Sequence, residues 1–289
     1  MKYLVWLALA VLVVSAGCGG KSALSTAPQA MTLAYKQVGD QYTQYKMSSS
    51  VTLNMQGTTV SSVSDITYSA RIESLATDGM IVRRLVFDEF SIFEQSGGRL
   101  EPDAAAAGYK GQYLWLKLGP QGEIVEWKGL DGIGSYTAED RSLKNVLVQQ
   151  MASTFQPLPS SEVNVGSTWQ RSINIPVIIR GGEFTQKIST DYEVLGFGLR
   201  SGRNCVKIQA KAALEGEGSG SRGPDRQFWL NSKGSGKGSI WFDYENGTLV
   251  EYEMKVTANQ VLRYERAGKA DVATEESTVD SQVHIKLAK

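Results

Sequence analysis

From residue 31 onward, apolar and polar positions alternate over long runs. Ile66, Tyr68, Ala70 and Ile72 take every second place, as do Ile240, Phe242 and Tyr244, and then Val250, Tyr252, Met254 and Val256. Successive side chains of a strand point to opposite faces, so a period of two predicts strands with one buried face. Several runs extend over about 12 to 16 residues, well beyond the usual ~5–6. Strands of that length belong to strongly twisted, curved sheets or barrels. Turn signals punctuate the runs at Gln56-Gly57, Asp78-Gly79, Gln121-Gly122, Gly181-Gly182, Ser201-Gly202 and Asn246-Gly247. Asn-Gly is the sharpest, because both residues tolerate the positive φ of a tight hairpin.

One stretch changes period. Leu143, Val146, Leu147 and Met151 recur at helical spacing. Thr137 is placed to cap this segment, Glu139 and Asp140 suit the positive end of a helix dipole, and Pro157 and Pro159 stop it. The pattern predicts a helix at about 138–154. On either side of it the sequence repeats itself in four short features, in the same order and at nearly one offset. Val38-Gly39-Asp40-Gln41-Tyr42 parallels Val165-Gly166-Ser167-Thr168-Trp169, and Gly122 to Trp127 parallels Gly247 to Tyr252. Thr67 to Ile72 with its turn at Asp78-Gly79 parallels Asp191 to Leu195 with its turn at Ser201-Gly202. Each half also carries a Gly-rich stretch, Gly97 to Gly108 and Glu215 to Asp225, which reads as a loose insert. The expected fold is therefore all-β with one helix: two similar curved, half-barrel-like antiparallel sheets from an internal duplication. The expected segments are a first β repeat at 31–136, a connecting helix and Pro linker at 137–160, and a second β repeat at 161–289.

The N-terminus has a different composition. Lys2 is followed by an apolar or small run from Tyr3 to Gly17. That run is too short for the ~20 residues that span a bilayer as a helix, and suits a signal-peptide core. Ser15-Ala16-Gly17 running into Cys18 resembles the bacterial lipobox, with Ser15 where an aliphatic residue is usual. The resemblance implies a signal peptide at 1–17, lipidation of Cys18, and a small, polar tether at 18–30. It further implies a lipid-anchored protein of the cell envelope. Gly19 in place of Asp favours the outer membrane, facing the periplasm.

Composition narrows the function classes. The 30 basic residues balance 30 acidic ones, which argues against nucleic-acid binding. Cys205 is the one cysteine besides Cys18, so no internal disulfide is expected, and its strand-like setting reads as a small packed residue. The single histidine, His284, lies on a strand face shared with Lys286 and is expected to face solvent. Nucleophilic triads need a positioned imidazole, and zinc sites draw on several His or Cys. The carboxylate pairs Asp88-Glu89, Glu139-Asp140 and Glu275-Glu276 are adjacent in sequence, which on a strand sends them to opposite faces. No catalytic residue, metal ligand or cofactor is expected, and Trp115, Trp127, Trp169 and Trp241 read as core or rim aromatics.

Phe155 to Pro159 with Val163 to Trp169, and Gly236 to Asp243 with Asn246 to Val250, are similar to phrases found in β-rich bacterial lipoproteins of unknown function. That likeness covers most of residues 31–264 and rests on turns and strands, so it implies a fold and carries over no site. A looser architectural analogy links it to lipoprotein carriers whose curved sheets cup acyl chains or peptides. The expectation is a non-catalytic module holding a hydrophobic ligand or peptide. The alternative is a scaffold engaging another envelope protein, with a hydrolase as a weaker third reading.

Overall fold

A computed structural model describes residues 30–36, 39–56, 58–96, 99–120, 122–131, 138–179, 182–221, 226–266 and 272–288. Cys18, the expected signal, nearly all of the tether and Thr137 lie outside the described residues. The first half contributes β1 (Thr43–Met55), β2 (Thr58–Leu75), β3 (Ile81–Ser96), β4 (Arg99–Pro102), β5 (Tyr113–Leu118) and β6 (Ile124–Gly129). The helix α1 (Ala138–Ser153) follows. The second half contributes β7 (Thr168–Ile179), β8 (Gly182–Arg200), β9 (Arg203–Ser221), β10 (Arg226–Asp243), β11 (Thr248–Arg266) and β12 (Val272–Leu287). Among the described residues the fold is all-β with one α-helix, as the two periodicities predict.

The sequence leaves open whether the two halves form one continuous sheet or two domains, and they form one sheet. A single 12-stranded antiparallel sheet runs β6-β5-β3-β2-β1-β12-β11-β10-β9-β8-β7, with β4 paired to β3 off that path. The joint is β12, which pairs with β11 of its own half and with β1 of the other, Val51 opposite Ser281. The matched turns occupy equivalent places in the two halves. Gly79 and Gly202 lie in the β2–β3 and β8–β9 turns, and Gly122 and Gly247 lie in the β5–β6 and β10–β11 turns. All four have positive φ, the left-handed region that glycine enters without a Cβ penalty. Gly39 and Gly166, just before β1 and β7, donate their N–H groups to Ile72 and Val194 of the following strands at 2.9 and 2.8 Å.

The inward face follows the period-two pattern. On β8 it carries Phe184, Gln186, Ile188, Thr190, Tyr192 and Val194. The Gly-rich stretch of the second half is not a loose insert. Glu215 to Ser221 continue β9, with Gly216, Gly218 and Gly220 at the inward positions. Gly234, Gly236 and Gly238 stand likewise on β10. A Cβ at Gly216 would meet the Phe184 ring, and one at Gly236 would meet Val256. Glycine at alternate places is thus a strand signal whose empty positions are filled by neighbouring side chains, and it lets a long sheet bend. In the first half, the corresponding stretch forms β4 and a 3₁₀ helix at Ala104–Tyr109.

The concave face encloses α1. Leu147, Val148, Met151 and Ala152 pack against Met47, Leu85, Leu114 and Tyr192 in one core that draws on both halves. Burying each large apolar side chain contributes about 1.5–3 kcal/mol. Polar anchors orient the helix: Gln150 Nε2 donates to Ser49 Oγ on β1 at 3.1 Å, and Arg83 Nη1 on β3 donates to Thr154 Oγ1 at 3.2 Å. The core stops at a row in register that carries the buried polar residues Gln186, Ser232 and Gln260, with Gly216 between the first two. Beyond it lies a smaller cluster of Ile175, Phe184, Phe228, Leu230 and Leu262.

Candidate functional site

The sheet ends at β6 on one side and β7 on the other, and α1 packs against both. Arg171 on β7 reaches across this seam, its Nη2 donating to the Gly122 carbonyl before β6 at 3.2 Å. Beneath the seam lies a cavity of about 370 Å³, a size within the range of small-molecule sites. Its walls come from β6 (Trp127), α1 (Val148, Ala152), β7 (Ile175), β9 (Leu214) and β11 (Met254). The space is open because Ala210 and Ala212 of β9 leave little side chain there, while α1 holds the layers apart.

The lining is mixed: Glu123, Glu126, Asn145, Gln149 and Asn174 also contribute to it, and four further polar residues come together in it. Tyr192 and Tyr252 line the cavity beside Gln156 and Arg171. Gln156 is held by Nε2 donating to the Ser153 carbonyl at 2.8 Å, and its backbone carbonyl accepts the Tyr35 hydroxyl at 3.0 Å. Burial raises the pKa of the Tyr192 and Tyr252 phenols, with Arg171 pulling the other way, and burial pushes Tyr35 up to about 12. All three are therefore neutral hydroxyls at pH 7, able to donate and accept. Arg171 is only 6% exposed. Its guanidinium meets Gly122 and the Tyr192 hydroxyl, while its Nε has no partner. Among the described residues, no carboxylate lies at ion-pair distance from it.

A second cluster sits on the outer face. Glu251 and His284 come together because β11 pairs with β12, and His284 Nε2 lies 3.0 Å from Glu251 Oε1. His284 is thus only partly exposed, rather than free in solvent as its strand pattern predicts. Glu253 is 3.9 Å from the same nitrogen, and Arg200 bonds the other Glu251 oxygen. Burial raises the Glu251 carboxyl, but hydrogen bonds from His284 and Arg200 outweigh it and hold the pKa at about 2. Glu251, Glu253 and His284 are close enough to hold a metal ion, but the guanidinium already balances Glu251, so the cluster is an ion network.

Of the remaining singled-out residues, Trp127 lines the cavity, Trp169 packs on its wall, and the others lie apart from it. Cys205 is fully buried against Trp241 and Val250, and burial pushes its thiol up to about 12, which makes it inert at neutral pH. Asp88 and Glu89 both accept hydroxyls of β2, Ser69 and Thr67. A bulge beside Tyr68 puts them on one face, against the strand expectation. Each is taken by its own partner. The side chains of Glu139 and Asp140 lie outside the described residues; Glu275 and Glu276 are exposed on β12. Trp169 stacks on Tyr192 at 5.2 Å and donates to the Pro157 carbonyl, and Trp115 donates to Glu73. Arg171 and Gln156 carry no motif; the signal that could have found Arg171 is a charge at an inward register between Trp169 and Ile173.

No helix among the described residues is long and apolar enough to cross a membrane, which says nothing of strands. No protein-family model matches the chain, and no curated protein matches it. Among solved structures, a mutant porin of Rh. blastica matches at 7% identity and a TM-score of 0.20, over 85% of this chain and 99% of that chain. A likeness this low carries no argument about fold or function.

Proposed function

We propose that this chain is a lipid-anchored protein of the cell envelope, a non-catalytic module that holds a hydrophobic ligand inside its curved sheet. The observation that carries the ligand reading is the cavity of about 370 Å³ between α1 and the concave face, with Ile175, Leu214, Met254 and Trp127 among its walls and Arg171, Gln156, Tyr192 and Tyr252 grouped within it. Apolar pockets with a few convergent polar groups are the usual form of a small-molecule site. The anchor rests on the lipobox-like run ending at Cys18. One acyl chain gives only reversible membrane binding, whereas several, at ~0.8 kcal/mol per buried CH₂, give durable attachment. The small, polar composition after Cys18 suits a tether between lipid and folded body.

Two measurements test the two parts. Cells fed labelled palmitate should label the wild-type chain and leave the Cys18→Ser variant unlabelled; a labelled variant removes the anchor. For the cavity, the full mature chain carrying Cys18→Ser is titrated with N-phenyl-1-naphthylamine, a neutral apolar fluorophore. Saturable uptake is expected, with Ala212→Phe weakening it about tenfold or more by filling the wall. Absence of uptake, or uptake indifferent to that substitution, removes the ligand reading.

A further inference from the structure

Arg171 is a charge at a core position. β7 presents Trp169, Arg171, Ile173 and Ile175 to the inside, and the residue paired with Arg171 on β8 is the buried Thr190. Burying an ionised group without a counter-charge is costly, and most buried arginines are paired. Here the guanidinium has five N–H donors to place. A backbone carbonyl and a neutral phenol take some of them, and Nε takes none. Two carboxylates, Glu123 and Glu126, line the cavity, and neither forms an ion pair with Arg171. Glu126 pairs with Lys128 at 2.9 Å on the exposed side of β6, and the Glu123 carboxylate folds back against Gly119.

We propose that the cavity takes a single-chain amphiphile whose anionic head, a carboxylate or a phosphate, is held by Arg171 while its chain lies along the apolar wall. The proposal rests on the ligand-holding reading above and adds the head group to it. A guanidinium presents a planar fork that matches the oxygens of either head. Tyr192, Tyr252 and Gln156 line the cavity beside it, and the long 3.5 Å bond from the Tyr192 hydroxyl to Gln156 Oε1 is one a head-group oxygen can replace. The adjoining floor of the sheet, Ala210, Ala212 and Leu214 of β9 with Met254 of β11, is apolar and gives the chain a surface to lie on. The volume lies at the small end of ligand sites, which suits one chain better than the two of a phospholipid.

The test uses the same full mature Cys18→Ser chain, with the neutral fluorophore bound and then displaced. Laurate, 1-dodecanol and lauroyl lysophosphatidate share a chain length and differ in the head. The charged ligands are expected to displace the fluorophore about tenfold to a hundredfold more tightly than the alcohol, the increment of a hydrogen bond to a charged group. Whichever of laurate and the lysophosphatidate binds tighter identifies the source of the head. Arg171→Met should erase the preference for charge while leaving the alcohol's affinity within about twofold. Arg171→Lys should keep part of it, as a point charge without the fork. Equal displacement by laurate and dodecanol overturns the anionic head and leaves the apolar cavity standing. Failure of the fluorophore itself to bind takes the cavity reading down as well. Should Arg171→Met not fold, the acid-to-alcohol ratio of the unsubstituted cavity decides alone.

Discussion

Glu251 gathers Arg200 from the β8 end and His284 from β12 around one buried carboxylate. Its pKa lies at about 2, below the ordinary 4.5. A depressed folded-state value means that the stabilisation is fully present above pH 4.5 and is lost as pH falls through about 2. Glu251→Gln should therefore cost about 1–3 kcal/mol at pH 7, the range for a lost charged hydrogen bond in a buried setting. The difference from wild type should shrink as the pH falls through 4.5 toward 2. Urea unfolding at pH 7, 4 and 2.5 checks this, and a pH-independent difference would count against the network. At this scale the sequence is half legible. The buried state of Cys205 follows from its apolar strand neighbours. The Glu251–His284 contact does not, because the partners are 33 residues apart and meet only through the β11–β12 register.

The elements show where local pattern is strong and where it misleads. The helix and the long strands are periodic, and β8, β9 and β11 each run to 19 residues. The Gly-rich run in β9 misleads, since glycine favours turns when it is clustered and yet tolerates a ladder when it alternates. Its meaning depends on what lies opposite. Gly238 on β10 illustrates the point: an added Cβ would press on the Glu253 carbonyl oxygen and on Met254 of β11. Gly238→Ala should cost about 1–3 kcal/mol by overpacking, read as a lower urea midpoint with an unchanged slope. A neutral substitution would show that the two strands are less tightly apposed than they appear in the register.

At the scale of the whole molecule, β12 decides the architecture. It joins the last hairpin of one half to the first strand of the other, and the core beneath it includes residues of both. One core implies one transition: far-UV circular dichroism and tryptophan fluorescence should melt together. A chain ending before Val272 should lose that transition altogether, rather than retain one half. Two separable transitions in the full chain would refute the fused core. The amino-acid pattern by itself determined the class of fold, the helix α1 and the matched glycine turns, because each depends on residues near one another in the chain. Tertiary structure alone decided that the halves share one sheet, that α1 lies inside it, and that Arg171 meets an apolar cavity at the seam. Those facts depend on strand register and on edges brought together from distant segments, and local periodicity does not encode which edge meets which.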